Sequence, residues 1–162
     1  MKVYKLKRTQ KLNISIKEAW EFFSSPLNLK EITPEFMQFN VLTDLEGVRM
    51  YEGMIIEYTV RPKLNIPIHW VTEIKSVSEP YFFIDEQRFG PYRFWHHEHH
   101  FQEVDDGVIM DDIVHYAIPY GFLGRIAGSL FVEKDVNDIF DYRFDVLEKK
   151  FNQKKKSEAV LV

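Results

Sequence analysis

The chain opens on an alternation. Between Lys2 and Ile14, Val3, Lys5, Lys7 and Thr9 alternate with Tyr4, Leu6, Arg8 and Gln10. Successive side chains of a strand point to opposite faces, so this segment reads as a strand. Ser15-Ile16-Lys17-Glu18 then fits a capping box, in which Ser15 and Glu18 satisfy free amides at a helix start. Ile16, Ala19, Trp20 and Phe23 share one helical face, and Ser24-Ser25-Pro26 ends it. A second short helix over Leu27 to Ile32 stops before Thr33-Pro34, because a residue ahead of proline disfavours the helical region. Beyond it the period becomes two. Strands are expected over Gln38 to Thr43, Met54 to Arg61, Pro67 to Ser78, Tyr81 to Arg88, Tyr92 to Glu103 and Val108 to Ala117. Glu46-Gly47, Glu79-Pro80, Gly90-Pro91 and Asp106-Gly107 supply turns. Leu123 to Asn152 reads as one long helix, with Val132, Val136, Ile139, Phe140, Leu147 and Phe151 in an apolar stripe.

One strand, two short helices, six strands and a long helix make an α+β domain: a seven-stranded antiparallel sheet against one amphipathic helix. If the sheet curls around the helix, the space between them becomes a pocket. Residues 1–153 form one domain, and residues 154–162, beginning Lys154-Lys155-Lys156, are expected to be a flexible tail. The 162 residues suit a single core, and 45% hydrophobic residues favour folding over disorder. Fourteen Phe and eight Tyr suit a thick core or an aromatic-lined pocket. A net charge of −4 without a basic run inside the domain argues against nucleic-acid binding. The absence of cysteine excludes disulfides and thiolate metal sites. No signal peptide is expected, since Met1 to Asn13 alternates and carries five basic residues. No apolar run approaches the roughly 20 residues of a membrane span. The default is a soluble cytoplasmic protein without stable membrane insertion.

The most informative stretch is Trp95-His96-His97-Glu98-His99-His100-Phe101. The two histidine doublets force imidazole onto both faces of the strand, whatever its register. His97 and His99 share a face with Trp95 and Phe101, so two histidines line an apolar interior, where polar groups need partners. An Asp106-Gly107 hairpin pairs Asp105 with Val108, and hence His99 with Val114, His97 with Tyr116 and Phe101 with Asp112, with Met110 on the same face. Asp111-Asp112 is a further polar doublet, and this register aims Asp112 inward beside His99. A Gly90-Pro91 hairpin pairing Phe89 with Tyr92 sets Phe82 opposite His99, Ile84 opposite His97 and Glu86 opposite Trp95. Trp70, Thr72 and Ile74 face the same interior. The expected wall is therefore apolar with a polar stripe of Glu86, His97, His99, Asp112 and Tyr116, provided no bulge reverses the parity.

With this element order, the chain resembles the START-like, helix-grip superfamily (SRPBCC), which includes the birch-pollen allergens, and within it the uncharacterised bacterial ligand-binding branch. The local matches are Trp20-Glu21-Phe22-Phe23-Ser24 with Pro26, Asn28-Leu29, Ile32-Thr33-Pro34, Asp85-Glu86-Gln87-Arg88 through Gly90-Pro91-Tyr92, Trp95-His96-His97, Pro119 with Gly121, and Leu123-Gly124. The resemblance covers residues 1–153. It implies a curved sheet gripping the C-terminal helix, and an internal cavity.

Several readings of the polar stripe follow. It can be a satisfied structural network. It can line a ligand cavity for a small hydrophobic molecule such as a lipid, isoprenoid or aromatic compound, held by Trp70, Thr72, Phe82, Ile84, Glu86, Trp95, His97, His99, Phe101, Met110, Asp112, Val114 and Tyr116. The alternative is a cyclase- or dehydratase-like enzyme of the polyketide type, using His97, His99, Asp112 and Tyr116 for proton transfer. His97-x-His99 with Asp112 also has the form of a two-histidine, one-carboxylate metal set, but that spacing alone carries little weight. The binding reading is preferred, with no cofactor and no metal expected. The loop from Arg61 to Pro67 and the segment Pro119-Tyr120-Gly121 are candidate gates.

Overall fold

The computed structural model describes residues 2–61, 66–119 and 121–153, with the backbone alone for 121–131. Strand β1 (Tyr4–Leu12) leads into helix α1 (Ile16–Phe23). The capping box forms as expected: the Ser15 Oγ accepts from the Glu18 N–H, while the Glu18 carboxylate accepts from the Ser15 N–H at 2.8 Å. Such a cap is worth about 1 kcal/mol. The second short helix is a turn of 3-10 helix over Pro26–Lys30, and a further 3-10 turn, Glu35–Met37, follows it.

Six strands come next: β2 (Asn40–Val41), β3 (Ile55–Val60), β4 (Ile68–Ser78), β5 (Phe82–Phe89), β6 (Phe94–Val104) and β7 (Gly107–Ala117). β2 is much shorter than the expected Gln38 to Thr43. Gln38 takes a left-handed conformation (φ 44°) that closes the preceding 3-10 turn, so extended pairing starts only two residues later. Helix α2 (Gly121–Leu147) ends in a π-helical turn, Glu148–Gln153. That turn is tied to the end of β1: the Asn152 side chain accepts from the Asn13 N–H and donates to the Lys11 carbonyl, both at 2.9 Å. The lysine-rich tail lies outside the described residues.

The strands form one antiparallel sheet in the order β1-β7-β6-β5-β4-β3-β2. Its inner face packs against the two helices. Beneath α1 and the end of α2, Trp20, Phe83, Phe101, Met110 and Leu147 form one cluster. Val136 and Phe140 of α2 pack on Leu6, Val114 and Tyr116. At the opposite end of the sheet, Phe39, Ile56, Tyr58 and Trp70 form a third cluster.

Both hairpins flanking β6 differ in register from the expectation. β6 and β7 join through Asp105-Asp106, with Val104 opposite Gly107. Gly107 is required there, because a Cβ at that position would stand 2.2 Å from the Leu12 carbonyl oxygen of β1. Pairing is displaced by two residues, so His99 faces Asp112, His97 faces Val114 and Phe101 faces Met110. An even displacement keeps every side chain on its expected face. The β5–β6 connection is four residues long, Gly90 to Arg93, and sets Phe83 opposite His99 and Asp85 opposite His97. That displacement is odd, so it exchanges the two faces of β5.

Candidate functional site

The uncovered part of the inner face encloses a cavity of about 160 Å³. β3 contributes Ile56, Tyr58 and Val60, and β4 contributes Trp70 and Ile74. β5 and β6 contribute Phe83, Asp85, Trp95, His97 and His99. Phe22 and Phe23 of α1, with Pro26 and Leu29 of the first 3-10 turn, close one end. Val136, Ile139, Phe140 and Arg143 of α2 lie across the top. The lining is mostly apolar, and its ionisable groups gather on one side.

That side is a cluster of two carboxylates, two imidazoles and a guanidinium, buried except for the half-buried Asp85. His97 and His99 are two residues apart on β6, and their rings lie against each other, tilted by 45°, with centroids 3.8 Å apart. Phe83 lies over His99 at 4.1 Å, and Phe140 meets His97 edge-on at 5.5 Å, so both rings are held by packing. Asp112, from β7, sits behind them. Its Oδ1 accepts from His97 Nε2 at 3.1 Å and lies 2.8 Å from His99 Nδ1, off the line a hydrogen bond needs. Its Oδ2 accepts from the Arg143 guanidinium at 3.1 Å. Asp85 sits in front, at the cavity. Its Oδ2 accepts from His99 Nε2 at 3.2 Å and lies 3.5 Å from His97 Nδ1. Beside the cluster, Tyr58 and Thr72 share a hydrogen bond of 2.7 Å.

Electrostatics sorts these groups. Burial opposes the charge on Asp112, but His99 and Arg143 outweigh it and hold the carboxyl well below the usual range. Burial also opposes ionisation of Asp85, and His97 and His99 reverse the sign. Burial, reinforced by its neighbour His99, lowers His97. Burial works against charge on His99 too, yet Asp112 and Asp85 raise it on balance. Burial pushes the hydroxyls of Tyr58 and Tyr92 up, so both stay neutral donors.

Among the residues expected from the sequence, Trp70, Trp95, His97 and His99 line the cavity. Thr72 is buried on the same face and holds Tyr58. Phe82, Ile84 and Glu86 are on the outer face because of the reversed parity of β5, and Glu86 pairs there with His96 at 2.9 Å. Phe101 and Met110 are packed beneath α1, and Val114 and Tyr116 beneath α2, so none of the four lines the cavity. Asp112 touches the histidines from behind and does not line the cavity either. Tyr116 stacks on Tyr4 at 5.4 Å, away from the cluster, which removes it from the expected polar stripe. The structure adds Asp85, Tyr58 and Arg143. Arg143 had a visible signal: it interrupts the apolar stripe of α2, one turn after Ile139 and Phe140 and one before Leu147. Both candidate gates include positions outside the described residues, 62–65 in one and 120 in the other.

No family model matches the chain, and no curated protein matches it in sequence. Solved structures match it in shape. TTHA0849 from Thermus thermophilus superposes with a TM-score of 0.70 at 12% identity, over 90% of this chain and 95% of that one. A START superfamily protein from Mycobacterium smegmatis gives 0.69 at 11% identity, over 92% and 97%. Ara h 8.0201 gives 0.64 at 11% identity, over 91% and 97%. The chain has the START-like helix-grip fold. Identities this low establish the shape alone. Among the described residues, no helix is long and apolar enough to cross a membrane.

Proposed function

We propose that the domain binds a small hydrophobic molecule in this cavity, with the molecule's polar end toward Asp85, His97 and His99. The observation that carries the reading is the cavity itself: apolar walls with a few convergent polar groups are the usual make-up of a small-molecule site. Its size narrows the class. An apolar cavity of about 150 Å³ takes a benzene-sized guest, so a single-ring aromatic or short isoprenoid fits. A sterol or long acyl chain would require the walls to move. The indole N–H of Trp70 supports a guest with a hydrogen-bond acceptor, because it is buried in the wall without a partner among the described residues. An unmet buried donor is costly unless a ligand or water meets it.

A thermal-shift panel of small phenols, aryl acids, monoterpene alcohols and fatty acids tests this. Ligand at about a hundred times its Kd is expected to raise Tm by about 5 °C or more. It should also change the emission of Trp70 and Trp95. Ile139→Phe, which fills the cavity from α2, is expected to abolish both responses while leaving the fold intact. A panel in which nothing shifts Tm or emission overturns the reading.

A further inference from the structure

The two inner histidines do more than contribute polarity to the cavity. One ring nitrogen of each histidine and an Asp85 carboxylate oxygen all lie within 4.8 Å of one another. Asp85 Oδ2 is 3.5 Å from His97 Nδ1 and 3.2 Å from His99 Nε2. Ligand atoms bound at about 2.0–2.2 Å to a zinc-like ion stand about 3–3.5 Å apart, so these separations are close to those of a coordination edge. From this geometry we propose that Asp85, His97 and His99 form a binding site for a divalent transition-metal ion of the zinc type, with its open positions facing the cavity.

Three features beyond the ligand atoms support the assignment. The first is the carboxylate behind the rings. Metal-binding imidazoles characteristically turn their far nitrogen to a carboxylate, which fixes tautomer and ring orientation. Here one oxygen of Asp112 faces the far nitrogens of both rings, at 3.1 and 2.8 Å. Arg143 holds the other oxygen in place. With metal on the cavity side, both far nitrogens carry a proton: His97 Nε2 donates its proton to Asp112, and His99 Nδ1 stands 2.8 Å from the same oxygen, off the hydrogen-bond line. The second feature is charge. With both imidazoles neutral, as ligands must be, the buried Asp112 and the half-buried Asp85 oppose one guanidinium, leaving a negative charge for a cation to balance. The third is rigidity. Phe83 and Phe140 pack on the rings, so little reorganisation accompanies binding.

Two nitrogens and one carboxylate oxygen with the remaining positions open suit zinc, cobalt or ferrous iron better than magnesium or calcium, which prefer all-oxygen sets. This is a departure from the sequence expectation of no metal. It also corrects the third ligand, because the register of β5 makes it Asp85 and leaves Asp112 as the support behind. The site does not depend on the hydrophobic ligand. Water or the polar end of a bound molecule would complete the ion's coordination.

The test uses full-length protein with any purification tag removed and stripped with a chelator. Co²⁺ is added without organic ligand, and visible d–d bands and native mass are recorded. One ion per chain, with bands of the intensity given by low-symmetry nitrogen–oxygen coordination, is expected. Zn²⁺ should displace Co²⁺ and abolish the bands. Asp85→Asn, checked for folding by circular dichroism, is expected to weaken Zn²⁺ binding by about 100-fold or more. His96→Gln/His100→Gln, on the outer face, should leave it unchanged. Absence of stoichiometric Co²⁺ binding by the unmodified protein overturns the proposal. So does binding that persists at full affinity in a folded Asp85→Asn, or that disappears with the outer histidines. The same preparation in the thermal-shift panel keeps the outcomes separate, since loss of the metal site leaves the hydrophobic reading standing.

Discussion

Strand β6 presents two histidines on each of its faces, and the two pairs live in different physical settings. Outside, His96 is 2.9 Å from Glu86 and His100 is 3.0 Å from Glu98, with side chains 27% and 41% exposed. Water solvates what these partners leave unmet, and such pairs contribute little. Inside, His97 and His99 are nearly closed off, so each nitrogen depends on Asp85 or Asp112. β7 repeats the division. Asp111 points out to Lys7 and Thr9, and Asp112 points in to Arg143. Residue type alone therefore says little about role. The pleat decides which member of each doublet meets water, and the environment then decides what its charge is worth.

The sharpest way to break this contrast is to delete the two aspartates separately. Asp112→Ala leaves Arg143 buried without its carboxylate and is expected to cost about 3–5 kcal/mol. Asp111→Ala should cost less than about 1 kcal/mol. Urea denaturation checks both, and similar costs would show that burial does not separate the two faces. Replacing the buried pair together, as Asp112→Leu with Arg143→Met, should recover most of the loss, because well-packed apolar groups often match a buried ion pair.

Aromatic residues of the same strand extend the comparison to packing. Phe101 is 3% exposed between Trp20 and Phe23, and Phe101→Ala is expected to cost about 3–5 kcal/mol. Phe94, on the outer face, should lose about 0.5 kcal/mol or less on the same substitution.

The smallest effect concerns pH. Partial burial pushes the Asp111 carboxyl up, but Thr9 and Lys7 outweigh it and hold it below its ordinary value. A lowered folded-state value stabilises the fold above the ordinary carboxylate range, and that stabilisation disappears as pH falls through the lowered value. Lys7→Ala should raise the Asp111 titration. It should also cost a few tenths of a kcal/mol at neutral pH and nothing once the carboxyl is protonated. Carboxyl NMR titration with parallel urea melts distinguishes this from a simple loss of packing.

The capping box, the turns and the period-two runs were legible because each depends on neighbours in sequence. So was the inward face of β6, since Trp95, His97, His99 and Phe101 must share a side in any regular strand. β5 was not. The Gln87 side chain donates to the Tyr92 carbonyl at 2.6 Å and accepts from its N–H at 3.2 Å, closing a four-residue loop where Gly90-Pro91 suggested two. A Cβ at Gly90 would stand 2.4 Å from that amide, so the glycine makes room for the clamp. One misplaced residue exchanged Asp85 for Glu86. The cavity was displaced for another reason. Strand periodicity identifies the inward face but not which part of it a helix fills, and α2 packs directly on β7 while a cavity separates much of it from β3 to β6.

Arg143 has a consequence for the way α2 can change over time. An apolar stripe alone tolerates some rotation of a helix, because one aliphatic contact can replace another. A buried guanidinium bound to one carboxylate does not. A single residue inserted between Phe140 and Arg143 would turn the guanidinium by about 100° around the helix axis. Asp112 would then lose its partner, and the histidine pair its support. That part of the helix should therefore accept substitutions but not insertions or deletions, with Arg143 acting as an index mark for its rotation against the sheet.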